Sequence, residues 1–383
     1  MSMEAIYFDH NATTALDARV LEAMLPYLRG QQGNPTSRHG FGRTARQAID
    51  LAREQVAAAV GAHPSQVTFT SGGTEANNTA IKGIAATHTP AQMVCSAIEH
   101  PAVSKPMQSL LGRGWKMART PVDQDGKVDL AALETLLQQK TALVSVMLAN
   151  NETGVLQDIP AIAGLARRYG ALLHTDAVQA LGKVAVDFTA SGANAMSLSG
   201  HKIHGPQGVG ALILDKRVDL QPLLEGGGQE KGLRSGTENI AAIVGFGMAC
   251  ELATRDLERH AEKIRGLRDQ FEQGLGELGA TVFGQGAERL PNTSFFALPN
   301  IEGETLVMAL DRQGYAVASG SACSSDSIEP SHVLLAMGIA PEVARGAVRV
   351  SLGARNSAAQ VDALLQALKN EQLRMKRMAA VAV

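Results

Sequence analysis

Apolar positions along the 383-residue chain fall into two alternating patterns. Short apolar, β-branched runs at 67–70, 93–97, 143–149, 171–175, 194–198 and 209–214 predict buried strands. Between them lie stretches with helical spacing, at 19–28, 43–60 and 159–169. In the second of these Ala45, Ile49, Ala52, Val56 and Ala59 form one stripe, which Gly61 closes. Strand following helix in this way predicts an α/β fold with a mostly parallel sheet and crossover helices. Past 214 the pattern loosens into a glycine-rich connection, and a helix is predicted to begin near Thr237. Residues 256–278 read as a charged helix with a solvated face. The remainder alternates again, with strands at 292–297, 316–319 and 347–351, a helix at 304–313 and a last helix from Ser357. That predicts a smaller α/β domain beginning near 250–260.

Several apolar runs end on a polar residue: His100, Asn151, Asp176 and Lys202. Each alone reads equally as a turn or capping residue. Together they matter, because open α/β sheets bind ligands beyond the carboxyl ends of their strands. The densest signal is 197–214, SLSGHKIHGPQGVGALIL, where Lys202 sits at a glycine-rich bend between two apolar runs. A lone lysine there snorkels to solvent, or, once desolvated, forms a Schiff base. Ser199 and His201 flank it with a hydroxyl and an imidazole, as an anionic cofactor would need. A second signal is Ser71-Gly72-Gly73-Thr74-Glu75, a turn between a strand and a helix. Such a turn either caps the helix or cradles a phosphate on free backbone N–H groups.

Composition narrows the classes. Hydrophobic residues make up 45% and charged residues 19%, as in soluble globular proteins. The net charge of −2 gives no electrostatic footprint for nucleic acid or an anionic membrane. No apolar run has the length of a membrane span and no secretory signal is visible, so a cytoplasmic location is expected. The three cysteines, Cys95, Cys250 and Cys323, are far apart and lack zinc spacing, which fits reduced thiols. No dinucleotide or P-loop fingerprint is complete. His201 and His204 have no further ligand spaced to join them, so no metal site is expected.

A lysine, a phosphate cradle, a strand-end carboxylate, a strand-end histidine and a distant cysteine remain. Lysine, phosphate site and carboxylate are what pyridoxal phosphate requires. The motifs GNPTSRHGFG, FTSGGTEAN, IEHPAV, ANNETG, HTDAVQALGKV, SGHKIHGPQGVGAL, RSGTEN, LPNTSF and SGSACSSDSIEPSHV extend this over nearly the whole chain. The sequence resembles the cysteine desulfurases of the NifS/IscS type, class V aminotransferases among the fold-type-I pyridoxal-phosphate enzymes. The resemblance implies a large domain at 16–255 with a mostly parallel seven-stranded sheet flanked by helices. It also implies an N-terminal segment at 1–15 packing with a small C-terminal domain at 256–383, whose nucleophile loop covers about 320–332.

For the site, the resemblance implies that Lys202 is the Schiff-base lysine and proton shuttle, and that Asp176 pairs with the pyridinium nitrogen. His100 would stack on the ring and take part in acid–base steps, while Gln179 and Asn151 bond its hydroxyl side. Gly73, Thr74, Ser199 and His201 would hold the phosphate. Thr237 would reach the phosphate of the neighbouring subunit, which makes a homodimer the expected assembly. Asn34 would touch the substrate carboxylate. Cys323 would be the nucleophile that takes sulfur from L-cysteine as a persulfide, leaving alanine, and passes it to a protein acceptor such as an iron–sulfur scaffold or into thiolation. One departure stands out. Where relatives read S-L-G-R, with an arginine clamping the substrate carboxylate, this chain reads Ser351-Leu352-Gly353-Ala354-Arg355. Either Arg355 serves in its place or the clamp is missing; Arg349 is a third candidate that matches a different family arginine. A missing clamp keeps open a selenocysteine lyase or another class V enzyme, and a non-catalytic partner protein is the remaining alternative.

Overall fold

The computed structural model describes residues 5–320 and 329–381. Thirteen strands are described: β1 (Ile6–Tyr7), β2 (Val67–Thr70), β3 (Gln92–Ser96), β4 (Lys116–Thr120), β5 (Thr141–Ser145), β6 (Leu172–Asp176), β7 (Ala195–Ser199), β8 (Gly210–Leu214), β9 (Thr281–Val282), β10 (Thr293–Ala297), β11 (Tyr315–Ala316), β12 (Ala318–Ser319) and β13 (Ala347–Ser351). Strands β2 to β8 form one seven-stranded sheet in the order β2-β8-β7-β6-β5-β3-β4. β8 pairs antiparallel with both its neighbours, and the remaining pairings are parallel. Parallel strands need covering on both faces, which explains why β3 and β7 are buried along their whole length. β4, at one edge, is the exception: it is only partly covered and its sequence KMART is half polar, so no apolar run announces it.

A second sheet, β12-β13-β10-β9, is antiparallel and has its own core. There Phe271 of the Leu257–Glu277 helix meets Phe296 of β10 edge-on, with ring centroids 5.7 Å apart. The N-terminal segment joins this unit: β1 pairs in parallel with β11, and Phe8 is fully buried in the same core. The helix predicted from Thr237 starts later, at Ile240, because the Asn239 side chain accepts the N–H of Ala242 and caps it. That helix ends at Arg255, and the charged Leu257–Glu277 helix follows directly. No described helix is long and apolar enough to cross a membrane.

The two sheets and the N-terminal segment meet at Asn11, which is buried. Its side chain donates to Asn151 O (3.2 Å) and Thr293 Oγ1 (2.9 Å), and accepts from Lys183 Nζ (3.0 Å) and Asn292 Nδ2 (3.0 Å). Its backbone N–H donates to Ser351 Oγ, and its carbonyl accepts from Gln179 Nε2 and Lys202 Nζ. An amide has two donors and two lone pairs, and here all four are used. Asn11→Ala would remove a partner from two buried donors, Lys183 Nζ and Asn292 Nδ2, and from two acceptors, Asn151 O and Thr293 Oγ1, at a cost on the order of 3 kcal/mol. Denaturant unfolding of the variant should show that loss; a change below about 1 kcal/mol would mean the surrounding groups find other partners.

Candidate functional site

A cavity of about 450 Å³ opens where the carboxyl ends of β2, β3, β5, β6 and β7 converge. Gly73, Thr74, His100, Asn151, Asp176, Gln179, Ser199, His201 and Lys202 all line it. β7 ends at Ser199 and one 3-10 turn, Gly200–Lys202, carries the lysine in. That turn is closely packed: a Cβ at Gly200 would lie 3.1 Å from Pro206 O and Val209 Cγ1 and would press on both. Lys202 Nζ rests 2.6 Å from each of the carbonyls of Asn11 and Ala12.

Opposite the lysine, β2 runs into Gly72 (φ 152°), which opens the Gly73–Ala86 helix without a side-chain cap. The first-turn N–H groups are therefore left without a capping oxygen beside the cavity. A Cβ on Gly73 would sit 2.7 Å from Val178 Cγ2, so only glycine keeps this cradle open. On the next element Asp176 ends β6 as a buried carboxylate. One oxygen accepts from Asn77 Nδ2 (2.6 Å) and the other from Val178 N (2.9 Å), which fixes its plane. The side-chain amide of Asn151 makes no hydrogen bond among the described residues and lines the cavity.

Two imidazoles complete the wall. His100 caps the Pro101–Leu110 helix through Nδ1, which accepts from Ala102 N (3.1 Å). In the neutral ring the proton is then on Nε2. Burial lowers its pKa; the nearby Asp176 opposes that shift and the charges of Lys202 and His332 add to it. His201 Nδ1 lies 3.1 Å from Thr13 Oγ1, and burial, with Lys202 and Lys183 nearby, brings its pKa down to about 4.

The remaining expected residues fall elsewhere. Asn34 is exposed and accepts from its own loop, at Thr36 N (3.0 Å) and Thr36 Oγ1 (2.7 Å). Thr237 is exposed and does not line this chain's cavity. Arg355 does not line it either, because the chain leaves β13 at Ser351 and turns at Ala354–Arg355, which leaves Arg355 exposed before the last helix. Arg349 lines it instead. On β13, Arg349 is 7% exposed, donates to Asn151 O (2.9 Å) and pairs with Asp9 (2.7 Å). Its Nε is buried without a hydrogen-bond partner. Cys323 lies outside the described residues; Ser319 and Gly320, shortly before it, line the cavity. Cys95 and Cys250 are fully buried, and burial pushes the Cys95 thiol up to about 12. Asn11, Asn77, Glu152 and Lys183 belong to the site or its support, yet nothing in local spacing marks them.

Residues 6–364 match the aminotransferase class-V family. The chain is 48% identical to a cysteine desulfurase of Cereibacter sphaeroides over 96% of its own length and 95% of the relative's. It is 44% identical to the cysteine desulfurase IscS of Dictyoglomus turgidum, covering 91% of this chain and 89% of the relative. Among solved structures, a NifS-like protein superposes with a TM-score of 0.91 at 39% identity, covering 96% of this chain and 99% of the other.

Two buried groups behind the wall make stability depend on pH. Glu99 accepts from Ser96 Oγ (2.5 Å) and Met147 N (2.8 Å), while its second oxygen is buried and unpartnered. Burial pushes its pKa up to about 8. The unfolded chain releases this proton near pH 4.5 and the folded chain holds it to about 8, so this group's contribution falls as pH rises through that window. His174, held between Ser145 and Ser197 hydroxyls, has its pKa lowered to about 4 by burial, and its contribution falls as pH drops from 6.5 towards 4. Glu99→Gln should therefore gain in unfolding temperature, relative to wild type, between about pH 5 and about pH 8. An unchanged difference across that range would show that Glu99 ionises normally.

Proposed function

The chain belongs to the aminotransferase class-V family, and from that membership we propose that it is a cysteine desulfurase that binds pyridoxal 5'-phosphate and turns L-cysteine into L-alanine. One observation carries the reading. A single lysine, Lys202, faces a cavity that has a side-chain-free anion cradle on one wall and a fixed buried carboxylate on another. The donor set suits the cofactor: backbone N–H groups at Gly73 and Thr74, the Ser199 hydroxyl and His201 for the phosphate, and the unbonded Asn151 amide for the ring's hydroxyl side.

Bound there, pyridoxal phosphate supplies an aldehyde for the lysine amine and a ring that accepts electrons when the substrate Cα–H bond breaks. Lys202 would take and return that proton. Asp176 would hold a proton on the ring nitrogen, and its bonds to Asn77 and Val178 stop it from turning away. His100 would face the ring with its Nε2 proton available for acid–base work. Arg349, at the cavity wall, would hold the substrate carboxylate through charge-assisted hydrogen bonds from its guanidinium. Cys323 attacks the sulfur of L-cysteine: the new S–S bond leaves Cys323 as a persulfide, the C–S bond breaks, and the three-carbon remainder leaves as alanine once protonated.

The assembly proposed is a homodimer in which Thr237 of each subunit serves the other's phosphate. The persulfide sulfur is then delivered to a protein acceptor such as an iron–sulfur scaffold, in a reducing cytoplasm. The selenocysteine lyase and altered-substrate readings rested on a missing carboxylate clamp, and Arg349 at the cavity wall removes that support.

Purified protein with pyridoxal phosphate, L-cysteine and a reductant should yield alanine and sulfide in equal amounts, and Cys323→Ala should lose both. Lys202→Ala should lose the visible imine band. Arg349→Ala should raise KM for cysteine about 10-fold to 100-fold, whereas Arg355→Ala should change it by less than about threefold. The reverse ranking of the two arginines would return the clamp to Arg355.

A further inference from the structure

Lys183 is a buried amine that the proposed chemistry does not use. It lies on the turn after β6, one helical turn beyond Gln179, between the main cavity and a second one of about 80 Å³. Its Nζ donates to Gln179 Oε1 (2.7 Å) and to Asn11 Oδ1 (3.0 Å), and it makes no ion pair among the described residues. The charges acting on it are cationic, Lys202 on the turn after β7 and Arg349 on β13, while the neighbouring His201 and His10 are held neutral by burial, each with its pKa lowered to about 4. The acids lining the small cavity, Asp17 and Asp256, both face Arg19, at 2.7 and 3.6 Å. His204 and His260 line that cavity too.

We infer that Lys183 is a positioning residue for the cofactor side of the site: its amine sets which way the Gln179 amide faces and braces the Asn11 junction on which Lys202 rests. This rests on the pyridoxal-phosphate reading. With Oε1 held by Lys183, Gln179 must turn Nε2 towards Asn11 O, 2.9 Å away. The flipped amide would set two carbonyl oxygens against each other there and leave two donors facing at Lys183. The second N–H of Nε2 is then free for an acceptor in the cavity that Gln179 lines. Lys183 thus selects a donor, rather than an acceptor, for the ring's hydroxyl side. A neutral amine has two N–H groups, and two acceptors are present. Burial and the charges of Lys202 and Arg349 press its pKa well down, in keeping with that count.

The test is a titration of apo-protein with pyridoxal phosphate, reading the dissociation constant and the pH midpoint of the visible band. Lys183→Met should bind the cofactor about threefold to tenfold more weakly and shift that midpoint, since Gln179 is no longer held as a donor. KM for cysteine at saturating cofactor should stay within about twofold, because Lys183 does not touch substrate. Lys183→Gln, a neutral side chain that keeps a donor, should recover part of the affinity and serves where the Met variant fails to fold. In a Gln179→Ala background, Lys183→Met should add little, because both act through one hydrogen bond. Fully additive effects, or a Lys183→Met protein with wild-type affinity and midpoint, would overturn the inference. If wild-type protein forms no band that Lys202→Ala loses, the cofactor reading itself fails.

Discussion

The fully bonded amide of Asn11 is the constraint on which the site depends. It draws together Thr293 and Asn292 at the start of β10, Ser351 at the end of β13, Asn151 beyond β5, and Gln179, Lys183 and Lys202 beyond β6 and β7. Breaking one of these bonds leaves a buried polar group unpaired, and that penalty exceeds what the bond itself contributes. The two sheets are thereby held in one relation, which lets a strand of the second sheet, β13, supply Arg349 to a cavity built by the first.

Electrostatics gives the cavity its character. Burial and the charges of Lys202 and Arg349 lower the pKa of Lys183, and burial with Lys202 and Lys183 nearby pushes His201 towards its neutral form. On the acidic side Asp9 is paired with Arg349 and Asp176 is engaged by Asn77. Glu152, also at the wall, is driven towards its neutral form by burial and takes a hydrogen bond from Ser331. What remains is a cationic pocket with an open helix N-terminus. Such a pocket favours a ligand carrying more than one anionic group, as a phosphorylated cofactor joined to an amino acid would.

Close approach is the other device. Gly73 leaves room where a methyl group would meet Val178, and Gly353 lies directly under the His10 ring, which any Cβ there would strike. The second contact bears on Arg355. Asn356 ties the end of β13 to the N-terminal segment, its Oδ1 accepting from Gly353 N at 2.7 Å and its Nδ2 donating to Tyr7 O at 3.2 Å, and the turn between them leaves Arg355 exposed. A motif aligned along the chain cannot report this, because a bend of two residues decides which side of the sheet an arginine meets.

Much of this was legible in the sequence. Six of the seven strands of the large sheet announce themselves as apolar runs, since a strand buried on both faces has little choice of side chain; β4 does not, because it is only partly covered. His100, Asn151, Asp176, Gln179 and Lys202 could be found because strand ends and the turns after them in one sheet point the same way. Asn11, Asn77, Arg349 and Lys183 could not be assigned, because each acts across a separation of about a hundred residues or more or through a partner that is itself not local. The fold class, the lysine and its cradle follow from local periodicity and glycine content, so they can be read along the chain. Which arginine meets the cavity and what holds Gln179 depend on how distant segments pack, because buried polar groups take their partners from whatever packing brings near.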